Sequence, residues 1–194
     1  MRVMPMNNED GKLYFAFLSI HGLIRGHDLE LGRDADTGGQ TLYVVELAQA
    51  LAKHPQVERV DLITRRVVDS HVSQDYAAPV EYLSEKARII RIDAGPEGYI
   101  PKEQLWDHLY PFADNLVSFF RAQSRMPDIL HSHYADAGQV GAHLSNLLGI
   151  PLIHTGHSLG RVKRSRLLAS GLKAEDIEQR YNMTRRIEAE ELAL

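Results

Sequence analysis

Short apolar runs alternate with amphipathic stretches along this chain, and that alternation is its first structural signal. Tyr14 to Ile20 is apolar almost throughout and of strand length, and Gly38 to His54 follows as a helix, with Val44, Leu47, Ala48 and Leu51 at helical spacing. Further strands are predicted at Arg59 to Thr64, Ala87 to Ile92, Asp128 to His133 and Pro151 to Thr155. Two helical faces fall between them. Leu105, Leu109, Phe112, Leu116 and Phe120 form one, with a break or bend expected at Pro111, and Val140, Leu144, Leu147 and Leu148 form the other. Strands alternating with helices predict an α/β fold, a Rossmann-like parallel sheet with helices on both faces. Ser70 to Leu83 is polar and aperiodic and reads as a surface excursion between strands. Lys173 to Leu194 reads as a helix with Ile177, Tyr181, Ile187 and Leu194 on roughly one face. Its last residues, Glu190 to Leu194, carry no stop signal, so the sequence reads as a piece of a longer protein.

Composition narrows the picture without changing it. A length of 194 residues favours one domain, and 44% hydrophobic with 25% charged residues is ordinary for a folded globular chain. The absence of cysteine excludes disulfides and thiolate metal sites, and the polar N-terminal stretch Met1 to Lys12 resembles no signal peptide. A cytoplasmic location is expected, with neither membrane nor nucleic acid as a partner. The net charge of −4 supplies no global basic field for a polyanion, but local Arg and Lys clusters suit a small anion.

Ligands of open parallel sheets collect beyond the carboxyl ends of the strands, so three loops stand out. In Gly32 to Gln40, Asp36 or Thr37 is placed to cap the following helix, and Gly38 and Gly39 let backbone come close to a ligand. Free N–H groups at that helix start suit a phosphate, and the Gln40 amide suits sugar hydroxyls. In His131 to Gly138, the two histidines alternate on one sheet face, where packing is the commoner role, and no third ligand at a convincing spacing supports zinc. In Thr155 to Arg164, His157 lies between Gly156 and Ser158, where core filling is a poor explanation. Lys163 with Arg161 or Arg164 can hold a phosphate through charge-assisted hydrogen bonds, the alternative being a solvated basic loop. By themselves Lys102 reads as a solvated lysine, and Arg180, Arg185 and Arg186 as an exposed ladder in which Arg186 pairs with Glu190.

Taken in order, Glu30 to Gln40, His133 to Gly138, Thr155 to Arg161 and Arg185 to Glu191 resemble the sucrose-phosphate synthase family over nearly the whole chain. The Asp36-Thr37-Gly38-Gly39-Gln40 loop is shared with sucrose synthase; Gly156 to Arg161 with Lys163 looks more like the phosphate-using enzyme. The resemblance implies a GT-B glycosyltransferase, with residues 1–194 as its N-terminal acceptor-binding domain and the nucleotide-sugar domain outside this sequence. It implies transfer of glucose from UDP-glucose or ADP-glucose to fructose 6-phosphate with retention, without a metal or other cofactor, and a fragment inactive alone. Carried over residue by residue, Gly38, Gly39 and Gln40 meet the acceptor sugar. Lys102, Tyr134, Lys163, Arg180, Arg185 and Arg186 contact or surround the fructose 6-phosphate, Ser158 is a further substrate-binding residue, and His157 lies beside the transferred glucose. Sucrose synthase or another retaining glycosyltransferase, a non-catalytic sugar-phosphate-binding module and a plain nucleotide-binding Rossmann protein remain the alternatives, the last lacking a Gly-x-Gly-x-x-Gly fingerprint.

Overall fold

A computed structural model describes residues 11–194; the polar stretch Met1 to Lys12 lies, but for its last two residues, outside them. Six strands form one sheet in the order β3-β4-β2-β1-β5-β6. They are β1 (Leu13–Leu18), β2 (Val57–Arg65), β3 (Val80–Tyr82), β4 (Ala87–Ile92), β5 (Ile129–His133) and β6 (Leu152–Thr155). All neighbours pair in parallel except β3, which runs antiparallel to β4 at one edge. The helices are α1 (Gly39–Ala52), α2 (Leu109–Ala122), α3 (Tyr134–Leu148), α4 (Gly160–Ala169), α5 (Ala174–Tyr181) and α6 (Met183–Leu192).

Both faces of the sheet are covered, as a buried parallel sheet requires. On one face Val44, Val45 and Ala48 of α1 pack with Phe17, Val60, Leu62 and Ile89. On the other, Phe112, Leu116 and Phe120 of α2 and Val140 and Leu144 of α3 pack with Ala16, Leu18, Ile63, Ile90 and Leu130. The α2 face repeats at helical spacing, and Phe112, Leu116 and Phe120 are wholly removed from water. Truncating either phenylalanine to alanine would cost about 3–5 kcal/mol.

The five expected strands and the first three helices are present, with ends shifted by a few residues. Pro111 neither breaks nor bends a helix: it is the third residue of α2, in the first turn, where its missing N–H has no intrahelical partner to lose. Leu105 belongs instead to the short 3-10 turns that precede α2. The excursion from Ser70 to Leu83 contains the edge strand β3. The basic stretch after β6 is no loop beyond Leu159, because α4 begins at Gly160 and carries Arg161, Lys163 and Arg164. The terminal segment is two helices, broken where Asn182 takes a left-handed conformation at φ 49°, and Leu194 is 93% exposed instead of sharing a buried face with Ile177.

The strand order explains where a ligand can enter. The chain runs outward from β1 through β2 to β4, then crosses to β5 on the other side of β1, so the crevice between the carboxyl ends of β1 and β5 is a topological switch point.

Candidate functional site

A groove of about 270 Å³ opens at that switch point, lined among others by His21, Gly38, Gln40, Lys102, Lys163 and Arg186. Gly39, Tyr134 and Ser158 complete the convergence of eight sequence-predicted residues around the groove. A smaller cleft continues from it between Trp106, Tyr134, Lys163, Tyr181 and Arg186. Larger depressions between α4 and α6, about 380 Å³, and beside residues 67–78, about 520 Å³, show no such gathering of glycine backbone and cations.

Glycine at the start of α1 is not required by the protein's own packing. A Cβ at Gly38 or Gly39 would meet no atom within 4 Å, and neither residue has positive φ. The bare backbone therefore leaves room on the ligand side, beside a helix N-terminus whose first N–H groups lack intrahelical acceptors. Neither Asp36 nor Thr37 caps this helix; the N-cap is Gly38, without a side-chain hydrogen bond. Thr37 instead receives the Leu23 N–H at 3.1 Å, and Gln40 donates to Ser19 Oγ at 3.2 Å. Asp36 is buried and accepts from the Tyr99 hydroxyl at 2.8 Å, the Lys102 N–H at 2.9 Å and the Lys102 ammonium. Burial alone would raise the Asp36 pKa, but these donors hold it below the usual carboxylate range, and the same pairing holds Lys102 up against its own burial. Lys102 is thus no free surface lysine.

Arg186 and Glu190 are an i,i+4 pair, as their spacing suggests, but a buried one and not an exposed ladder. Arg186 Nε donates to Glu190 at 3.0 Å, and Nη2 donates to both the carbonyl and the hydroxyl of Ser158 at 2.8 Å. Its guanidinium also lies 4.6 Å from the Tyr134 ring centroid. Glu190 in turn accepts the Gly160 N–H at 2.7 Å and 3.0 Å, placing a carboxylate at the start of α4. A Cβ on Gly160 would come within 2.9 Å of Ile187, so this close approach of α4 and α6 requires glycine. Lys163, half-buried in the first turns of α4, points its ammonium at the Tyr181 ring, 4.0 Å from the centroid. Burial, then the charges of Arg186 and Lys102, push its pKa below the ordinary lysine value. Three cations meet here, Lys102 beside Asp36 and Glu103, Arg186 beside Glu190, and Lys163.

Tyr134 and His157 both hold left-handed backbone, at φ 75° and 55°, which is costly for residues with a Cβ and characteristic of functional sites. His157 lies outside the groove lining, with its Nε2 3.1 Å from His133 Nδ1 and its ring 5.2 Å from that of Tyr43. Arg180 stacks near Tyr181 at 5.4 Å, and exposed Arg185 pairs with Asp107 at 2.8 Å; neither lines the groove.

Comparison with known proteins places this arrangement. The family model described as Glycosyltransferase Family 4 matches residues 37–188. The chain belongs to that family. It is similar to sucrose-phosphate synthase 4 of Arabidopsis thaliana, 46% identical over 217 residues that cover 98% of this chain and 21% of that protein. It is 44% identical to a sucrose-phosphate synthase of Zea mays over 220 residues, which cover 100% of this chain and 21% of that protein. Among solved structures, a sucrose-phosphate synthase from Thermosynechococcus elongatus superposes with a TM-score of 0.73 at 29% identity, covering 94% of this chain and 40% of that one. This member of Glycosyltransferase Family 4 therefore has the fold of a GT-B N-terminal domain and spans about a fifth of the length of the curated relatives it matches.

Sequence reasoning missed His21, which lines the groove just beyond β1 and gives its Nδ1 proton to buried Asp136 at 2.8 Å. Burial would lower its pKa, but the Asp136 charge and hydrogen bond outweigh that and raise it. Its only early signal was its place after a strand end; the partner carboxylate lies 115 residues away. Among the described residues, no group of three or more His, Asp or Glu side chains is placed to hold a metal ion, and no helix is long and apolar enough to cross a membrane.

Proposed function

We propose that this chain, over residues 1–194, is the acceptor-binding domain of a sucrose-phosphate synthase. In this reading it holds fructose 6-phosphate while a nucleotide-sugar domain outside this sequence presents UDP-glucose or ADP-glucose. The observation that carries the reading is the convergence of Lys102, Lys163 and Arg186 on a groove that the bare glycine backbone of α1 also lines. A phosphorylated sugar needs both halves: cations for the phosphoryl group and close polar backbone, with the Gln40 amide, for the hydroxyls.

The geometry supports a division of labour. Arg186 has its Nε and Nη2 engaged by Glu190 and Ser158, so in this reading it fixes the floor of the site and supplies positive potential, while Lys163 and Lys102 reach the phosphate. His21, oriented by Asp136, faces the sugar end. His157, at the outer rim, orients the glucosyl unit. Glucose transfer with retention then needs the acceptor hydroxyl held against the anomeric carbon, and positioning of this kind contributes a large part of the barrier reduction. Stabilisation of the departing diphosphate belongs to the other domain, so this chain alone forms no sucrose 6-phosphate. A cytoplasmic location accords with the cysteine-free sequence and these soluble substrates.

Isothermal titration calorimetry tests the reading. Fructose 6-phosphate binds with at least tenfold higher affinity than fructose; equal affinities would overturn the phosphate assignment.

A further inference from the structure

The histidines at the ends of β5 and β6 form a second polar cluster, set behind the groove. His133 is completely buried, and its ring lies 4.2 Å from that of His131 and 5.5 Å from that of Phe17. Its Nδ1 meets His157 Nε2 at 3.1 Å, whereas its Nε2 is buried with no hydrogen-bond partner. His131, for its part, is engaged with the Thr155 hydroxyl at 2.8 Å. His157 Nδ1 makes no hydrogen bond among the described residues, and the residue is exposed.

A neutral imidazole carries one N–H, so the shared hydrogen bond admits two arrangements. If His157 donated, His133 would have to place its own proton on Nε2, leaving a donor buried without an acceptor. If His133 donates from Nδ1, its buried Nε2 is a bare lone pair, and orphaned buried N–H groups are the rarer and costlier of the two. A doubly protonated His157 is disfavoured as well, because two N–H groups would then face each other across 3.1 Å. Burial and the neighbouring histidines keep His133 neutral, consistent with this arrangement.

We propose that His133 is a positioning residue that fixes His157 as its Nδ1–H tautomer, so that the exposed edge of His157 presents a hydrogen-bond donor and no acceptor. The functional meaning rests on reading His157 as a contact to the glucosyl unit: a fixed donor selects a hydroxyl oxygen in one orientation, and the left-handed backbone of His157 aims it. The tautomer itself is a property of this chain, independent of any substrate.

Long-range proton–nitrogen correlation spectra of the 15N-labelled chain at about pH 7.5, above the ordinary histidine pKa of about 6.5, read the tautomer directly. The wild-type His157 shows a protonated Nδ1 and an unprotonated, hydrogen-bonded Nε2. His133→Asn, whose amide donates from the position of the Nδ1–H, keeps that signature. His133→Phe fills the space without a donor and moves the His157 proton to Nε2. A wild-type His157 protonated at Nε2 would overturn the proposal even if neither variant folds, and so would a folded His133→Phe variant that keeps the proton on Nδ1. Failure of fructose 6-phosphate to bind would leave these spectra unchanged, so the two readings fail separately.

Discussion

Lys163 Nζ lies 4.0 Å from the centroid of the Tyr181 ring, with no carboxylate at ion-pair distance among the described residues, whereas its neighbour Lys102 has Asp36 and Glu103, and Arg186 has Glu190. It is the cation of the cleft whose charge is least neutralised, and the one a phosphoryl group would satisfy most. Lys163→Met keeps the apolar stem and removes the charge. A charge-assisted hydrogen bond is worth about 1.5–3 kcal/mol, so fructose 6-phosphate affinity should fall about tenfold to a hundredfold while fructose affinity stays unchanged, as measured by calorimetry.

Gly39 separates a ligand role from a structural one. Because its Cβ would enter open space at a helix start with ordinary φ, Gly39→Ala should leave thermal stability unchanged or raise it by up to about 1 kcal/mol. On the proposed reading the same methyl would stand where the sugar binds, so binding of fructose 6-phosphate should weaken at least tenfold. A loss of stability with unchanged binding would assign the glycine to the fold.

Glu190 joins α6 to the start of α4 and neutralises buried Arg186. Glu190→Ala leaves that guanidinium uncompensated and frees the Gly160 N–H, a change expected to cost about 3–5 kcal/mol in urea unfolding. A surface pair such as Arg161 with Glu191, by contrast, should contribute less than about 1 kcal/mol.

The buried histidines make the domain acid-sensitive. Burial pushes His131 down to about 4 and His133 down to about 2, with neighbouring histidines adding to both shifts. The unfolded chain protonates them at about 6.5, so between these values the unfolded state binds more protons and stability rises with pH. As pH falls below about 6.5, stability should drop by up to about 1.4 kcal/mol per unit for each histidine. His21 acts the other way, its raised pKa giving a contribution lost as pH rises through it, so it offsets part of the slope. Urea midpoints at pH 7 and pH 5 measure the sum, and His133→Phe should flatten the dependence.

Much of the fold could be read from periodicity because the sheet is buried on both faces: strands such as Leu13 to Leu18 are apolar runs, and α2 repeats its large residues at helical spacing. What escaped was structure without an apolar face. Only Gly160 of α4 is buried, so its basic residues looked like loop, and the break at Asn182 depends on one left-handed residue. Strand β3 is three residues long and takes its pairing from β4. The candidate site was legible where unusual residue types cluster, as in Gly38 to Gln40 and Gly156 to Lys163. It was not legible where meaning lies in distant partners, as for His21 with Asp136, Asp36 with Lys102, and His133 with His157.

Trp106 offers the most direct test, being the single tryptophan of the sequence and part of the cleft wall beside Lys102, Lys163 and Arg186. Titration with fructose 6-phosphate should change its fluorescence saturably, while fructose at the same concentrations should not, and the response should be lost in Lys163→Met. Saturable binding of fructose 6-phosphate that leaves Trp106 silent, or an equal response to fructose, would contradict the phosphate site described.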